Sequence, residues 1–328
     1  MREPQNTTEL EYISNDEEAQ ESEPDELDSG SDSCIDELGP EELDELISFH
    51  LVWFHRFGEL DDLEKATKYA NRAFDLTPKG HPDTPGRLGS IGRCYDSRFR
   101  RLGTLEDMDK SIESVVRALA LTPEGDPNLV VYLANLGVSY TGRYRRLGEL
   151  SDLERSLEHK SRALTLTPDG HPDLPDRHAS LGVSYIDRYQ RLDEFAGLEK
   201  AIQCFYRALA LTLDSHPDFP SRHANLGLSY TDRYQRLGEL PDLEKAIECY
   251  TRALTLTPDG HPDLPERHAS LGVSYRNRYR RLDELANLGK AIECHIRALI
   301  LTPVGHPDLS SHHFNYALSY HDQYQHFG

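Results

Sequence analysis

Basic charge is in short supply in this chain, as are cysteine, tryptophan and long apolar runs. Thirty-six lysines and arginines stand against 57 aspartates and glutamates, a formal net charge of −21 over 328 residues. A nucleic-acid binder needs a basic face to neutralise phosphates, and no part of the sequence offers one, so that class is excluded. Five cysteines are too few, and odd in number, for a disulfide framework, and they fit a reducing, cytoplasmic compartment. The longest apolar stretch, LISFHLVWF at 46–54, is broken by His50 and falls well short of the ~20 residues that cross a bilayer. The N-terminus is polar and acidic where a signal peptide would be basic and then apolar. No membrane partner is expected, and the sequon at Asn6 is expected to stay unused.

The acidity is concentrated. Residues 1–45 hold eighteen acids and one base, Arg2, whereas the remainder is close to neutral with 39 acids and 35 bases. A segment such as NDEEAQESEPDELDSGSDS has too few apolar residues to offset its ordering entropy, so 1–39 reads as a disordered acidic tail. Within it, DSGSDS (28–33) has the form D-S-G-x-x-S, which two phosphates would turn into a strongly anionic recognition motif.

What the body does have is a repeat. Leu-Thr-Pro recurs at 76–78, 121–123, 166–168, 256–258 and 301–303, with Leu211-Thr212-Leu213 filling the gap in a period of 45 residues. His-Pro-Asp follows at 81, 171, 216, 261 and 306, and Asp126-Pro127-Asn128 takes its place once. Six units result, 40–84, 85–129, 130–174, 175–219, 220–264 and 265–309, followed by a partial seventh at 310–328. Inside each unit the apolar period is helical. Leu226, Tyr230, Tyr234 and Leu237 share one face of a first helix that Gly238 ends, and Gly227 permits a close helix approach. A second helix places Leu243, Ala246, Ile247, Tyr250, Ala253 and Leu254 on its buried face, and Pro258 stops it by biasing Thr257 away from helical dihedrals. Asp263 with Glu266 three residues on has the form of a capping box for the next helix, in a column shared with Asp83, Asn128, Asp173, Asp218 and Asp308. The fold class is therefore all-α: an α-solenoid of six helix-turn-helix repeats plus a terminal helix.

The set Leu226-Gly227, Tyr230, Ala246, Tyr250, Ala253 and Pro258 resembles the signature of the tetratricopeptide repeat family over about 40–328. The long unit is most similar to the kinesin-light-chain type, and LTPxGHPDxPxxxxxLGxSYxxRYxRLG is similar to fungal arrays found with CHAT domains. Ile47 and His50 stand where Gly and Tyr are expected, the fourth unit lacks the Pro, and Asp193 and Asp283 replace the glycine that ends the helix. After Gly328, the counterpart of Gly238, a second helix should begin. Tyr320, Tyr324 and Phe327 leave an apolar face half covered, so the chain reads as truncated there in preference to capped.

Each conspicuous side chain has a bland explanation. His261 and its counterparts lie in turns roughly 10 Å from one repeat to the next, too far apart to share a metal whose ligands stand near 2 Å, so they read as turn chemistry. His178, His223 and His268 read as packing. Cys204, Cys249 and Cys294 stack at 45-residue intervals, too far apart for disulfides. No G-x-S-x-G elbow or nucleophile–base pair occurs, so the chain is not expected to be an enzyme, and no cofactor, metal or small-molecule substrate is implied. Arg233 and Arg236, repeated at 98/101, 143/146, 188/191 and 278/281, are expected to bond across repeats to the Glu244 column (Glu64, Glu154, Glu199).

The column after Tyr230 varies while its neighbours are fixed: Asp96, Thr141, Ile186, Thr231, Arg276, His321. The resemblance implies that this column and those of Leu228 and Asn225 line a concave groove. The implied peptide-binding residues are Asn135, Val138, Thr141, Arg145, Val183, Ile186, Asn225, Leu228, Thr231, Val273, Arg276 and Arg280. The expected function is a protein-interaction scaffold for a peptide or helix, and the second class is a sensor arm of a larger CHAT-type effector. Kinesin-light-chain-type arrays bind acidic peptides with a large apolar residue, which implies a further partner: the chain's own tail, around Tyr12 or Ile35 and Leu38, docking on Arg100, Arg145, Arg276 and Arg280.

Overall fold

The computed structural model describes residues 38–327, and among them every regular element is an α-helix. The tail motifs around Tyr12, Ser29 and Ile35 lie outside the described residues. Contacts divide the chain at Pro123/Glu124 into two units. The first holds α1 (Pro40–Phe57), α2 (Leu60–Leu76), α3 (Thr84–Leu102) and α4 (Leu105–Leu121). The second holds α5 (Pro127–Leu147), α6 (Leu150–Leu166), α7 (Leu174–Leu192), α8 (Phe195–Leu211), α9 (Phe219–Leu237), α10 (Leu240–Leu256), α11 (Leu264–Leu282), α12 (Leu285–Leu301) and α13 (Leu309–Phe327). Within each unit a helix packs chiefly on its hairpin mate and next on the helix that follows.

Chain reversal inside a pair needs a residue at positive φ. Gly58, Gly103, Gly148 and Gly238 supply it at φ 72–76°. Asp193 and Asp283 adopt the same left-handed conformation at φ 55° and 56°, so the turn survives without glycine. The joint between pairs uses different chemistry. Thr257 is extended (φ −85°, ψ 123°), and its hydroxyl donates to the Ala253 carbonyl at 2.6 Å, closing the last turn of α10. Thr77, Thr122, Thr167, Thr212 and Thr302 do the same. Thr212 is extended although Leu213 replaces the proline, so the hydroxyl bond accompanies the stop even where proline is absent.

The histidines of the joint are structural. His261 Nδ1 accepts the backbone N–H of Asp263 at 3.2 Å, and His81, His171, His216 and His306 repeat the bond with Asp83, Asp173, Asp218 and Asp308. This corrects the capping expectation. Asp83, Asp173, Asp218 and Asp263 have helical dihedrals and make no side-chain cap, and Glu266 accepts from Ser270 instead. At the one joint without histidine the cap is Asp126, two residues before Asn128, whose N–H it accepts at 2.8 Å; α5 accordingly runs 21 residues.

Leu226, Gly227, Tyr230, Ala246 and Ala253 are buried at the crossing of α9 and α10, whereas Pro258 is exposed in the joint. The crossing has a size rule. A Cβ on Gly227 would lie 3.0 Å from the Tyr250 ring, on Gly182 2.8 Å from Phe205 and on Gly272 2.6 Å from His295. On Gly92 and Gly137 it would run into Val115 and Lys160. In α1 and α2 the sizes are exchanged: Ile47 takes the glycine position and Ala70 the large one, both within one core. His50, in the tyrosine position, is buried beside Tyr69 and bonds Asp62 at 2.7 Å.

Candidate functional site

Successive first helices of the second unit approach one another, α5 with α7, α9 with α11 and α11 with α13. Ion pairs stitch this face. Arg145 of α5 reaches Asp187 of α7 with Nε at 3.2 Å and Nη2 at 3.1 Å. Arg276 and Arg280 of α11 converge on Asp322 of α13 at 2.6 and 3.0 Å. Burial opposes the charge on Asp322, yet the bonds from Arg280 and Arg276 outweigh it and hold the carboxyl below the usual range. In the first unit Arg100 pairs with Asp96 of its own helix at 2.8 Å. The four arginines expected to receive an acidic segment therefore already hold carboxylates.

Of the residues implied for a groove, Asn135, Val138, Val183, Asn225, Val273 and Arg276 are half-buried, and Arg145, Leu228 and Arg280 are exposed. Thr141, Ile186 and Thr231 are buried, which corrects the reading of their column as open to a partner. Thr141 Oγ1 bonds the Gly137 carbonyl and Ser156 and accepts from Lys160, Thr231 donates to the Gly227 carbonyl, and Ile186 lies in the core. Across the hairpin, Lys160 bonds Thr141, Ile186 shares a core with Phe205, and Thr231 lies beside Tyr250.

A match to the model of the tetratricopeptide repeat covers residues 224–263, the α9–α10 pair and its joints. The α9–α10 pair is a tetratricopeptide repeat. The crystal structure of BtubC (BKLC) from P. vanneervenii is 19% identical and aligns with a TM-score of 0.53 over 73% of this chain and 90% of that one. The APC/C hetero-tetramer Cut9-Hcn1 is 15% identical, with a TM-score of 0.50 over 85% of this chain and 46% of that one. A thermophilic TPR protein of Thermus thermophilus, TTC0263, is 19% identical at a TM-score of 0.43, over 72% and 98%. At such identities the likeness concerns the fold, and it does not single out the kinesin-light-chain-like form. No curated protein matches the chain.

Other charged side chains pair within and between repeats. Arg233 meets Glu199 of the preceding repeat at 3.0 Å and Asp242 of its own at 2.6 Å; Arg188 reaches Glu154 at 2.9 Å and Arg143 reaches Asp152 at 2.7 Å. The cross-repeat glutamates were legible in the sequence, the aspartates were not. Also unforeseen is a buried arginine column. Arg87 bonds Thr77, Glu41 and Asp44; Arg222 bonds Asp176; Arg267 bonds Thr257, Ser221 and Asp263. Its signal was an Arg four residues after Asp83, Asp173, Asp218 and Asp263. Lys160 is fully buried, donating to Thr141, Ser184 and the Ser180 carbonyl at 2.8–3.1 Å, and burial pushes its ammonium down to about 7. Burial lifts the Cys204 and Cys294 thiols to about 11 and Cys94 and Cys249 to about 12, leaving them protonated. Among the described residues no helix is long and apolar enough to cross a membrane, and no group of three acids, histidines or cysteines could hold a metal.

Proposed function

We propose that the chain is a non-catalytic interaction scaffold that holds an extended peptide or a helix of a protein partner along the first-helix face of α5, α7, α9, α11 and α13. The observation that carries this reading is an apolar row on that face, open at Leu228. Leu228 is 39% exposed, and Val138, Val183 and Val273 occupy its position in neighbouring repeats, half-buried and with no polar partner to make. Asn135 and Asn225, one turn earlier, carry amides able to pair with a peptide backbone. A row of apolar steps repeated every 45 residues, with amides beside it at Asn135 and Asn225, suits an elongated ligand and not a compact one.

The reading is tested by selecting from a library of random twelve-residue peptides displayed on phage, with the full chain as bait. Peptides enriched over an unrelated helical protein should lose binding to Leu228→Arg, an exposed position where substitution should leave the helical circular dichroism intact. No enrichment, or binding indifferent to Leu228→Arg, would overturn it.

A further inference from the structure

The carboxylates on this face are not equivalent. Asp187, Asp232 and Asp322 occupy one position of the repeat, in α7, α9 and α13. Asp187 and Asp322 meet arginine of the preceding first helix, and Asp232 stands near enough to Tyr189 of α7 to add to the rise that burial gives its hydroxyl. The residue 42 before Asp187 is Arg145, and those 42 and 46 before Asp322 are Arg280 and Arg276. For Asp232 the same two places on α7 hold Gln190, exposed, and Ile186, buried. Asp232 makes no hydrogen bond or ion pair among the described residues, and its Oδ2 is closed to solvent without a partner. The nearby basic groups of α9 are already engaged, Arg233 by Asp242 and Glu199 and Arg236 by Asp193. An uncompensated carboxylate is costly to bury, and the two clamped counterparts show what the site accommodates.

We infer that Asp232 is the receptor for an arginine side chain of the bound peptide, whose guanidinium takes the place that Arg145 and Arg280 fill in the neighbouring repeats. The inference rests on the scaffold reading and names a chemical requirement of its ligand. Guanidinium fits better than ammonium because Arg145 and Arg280 each approach their carboxylate through both Nε and Nη2, a planar fork that lysine lacks. The i, i+4, i+7 spacing of Leu228, Asp232 and Gln235 sets the carboxylate in line with the apolar row, so the ligand should carry an apolar residue close to its arginine. Burial alone, with no opposing cation, lifts the Asp232 carboxyl to about 6, whereas the doubly clamped Asp322 is held low. An arriving guanidinium would offset part of that burial, as Arg145 does at Asp187, whose carboxyl burial still raises.

The experiment uses the peptides selected on the wild-type chain. Sequences should share an arginine at a fixed distance from an apolar residue, and replacing it with citrulline, the neutral isostere, should weaken binding in fluorescence polarisation roughly tenfold or more. Against Asp232→Asn, arginine and citrulline peptides should bind alike. Against Gln190→Arg, which installs the internal clamp of the neighbouring repeats, arginine peptides should weaken by a similar factor. The acidic tail is common to all three proteins and cancels. Peptides without a fixed arginine, or a citrulline penalty unchanged in Asp232→Asn and Gln190→Arg, overturn this inference while leaving the scaffold reading standing. Failure to select any peptide overturns both.

Discussion

Asp232 and Asp322 share a position and differ in what burial does to them. With two arginines on it, Asp322 stays ionised; with none, Asp232 is raised to about 6 from an ordinary carboxylate value near 3.9. A raised carboxyl binds its proton more tightly folded than unfolded. Its contribution to stability is therefore full below about pH 4 and is lost as pH rises through about 6. Asp232→Asn should match the wild type in melting temperature at pH 4 and exceed it at pH 7; equal melting temperatures at both would show that the carboxylate is solvated after all. His295 gives the opposite slope. It is fully buried, neither ring nitrogen has a hydrogen-bond partner, and burial takes it down to about 4. Below about 6.5 the unfolded chain takes up the proton first, so stability falls as pH drops towards 4. Phe205 fills the same position two repeats earlier. His295→Phe should therefore add about 1–3 kcal/mol by removing an unsatisfied buried group, and thermal melts between pH 6.5 and 4 should flatten.

Helix crossings are governed by a sum of sizes. Gly182 beneath Phe205 and Ile47 with Ala70 are two solutions to one volume, which is why a departure from the family pattern at residue 47 leaves the first pair intact. Phe205→Ala alone should cost about 3–5 kcal/mol through the cavity it leaves. Gly182→Ile alone should cost about 1–3 kcal/mol through overpacking. Joined, they reproduce the exchange seen in α1 and α2, and urea unfolding should find the double variant less damaged than the sum of the singles. Strict additivity would mean that the two side chains do not share the space.

Over a whole unit, stability is the sum of what neighbouring helices exchange. Leu243 of α10 is fully buried and packs within the α9–α11 region. Leu243→Ala should cost about 2–5 kcal/mol, and its effect should be local in a stack where each pair meets only its neighbours. Hydrogen exchange is expected to quicken in α9, α10 and α11 well before α5 and α6. Uniform quickening through the second unit would indicate a single cooperative block.

Most of what depends on neighbours in sequence was legible from the residues: the 45-residue period, the two helices per unit, the Gly238-type reversal and the turn role of His261. Even there, one local reading failed. Asp263 and Glu266 have the spacing of a capping box, but the ring of His261 reaches the Asp263 N–H, and the aspartate settles into helical dihedrals. Only the tertiary structure decided which variable side chains are buried and which charged ones are spoken for. Thr141, Ile186 and Thr231 are buried against a second helix across the hairpin. The fate of each carboxylate on the first-helix face depends on residues 42 and 46 positions away, brought opposite by stacking. Asp187 and Asp322 find arginine there, and Asp232 finds glutamine and isoleucine. A repeat written nearly verbatim in sequence thus becomes inequivalent in space, because an ion pair needs both partners and the period supplies only the places for them.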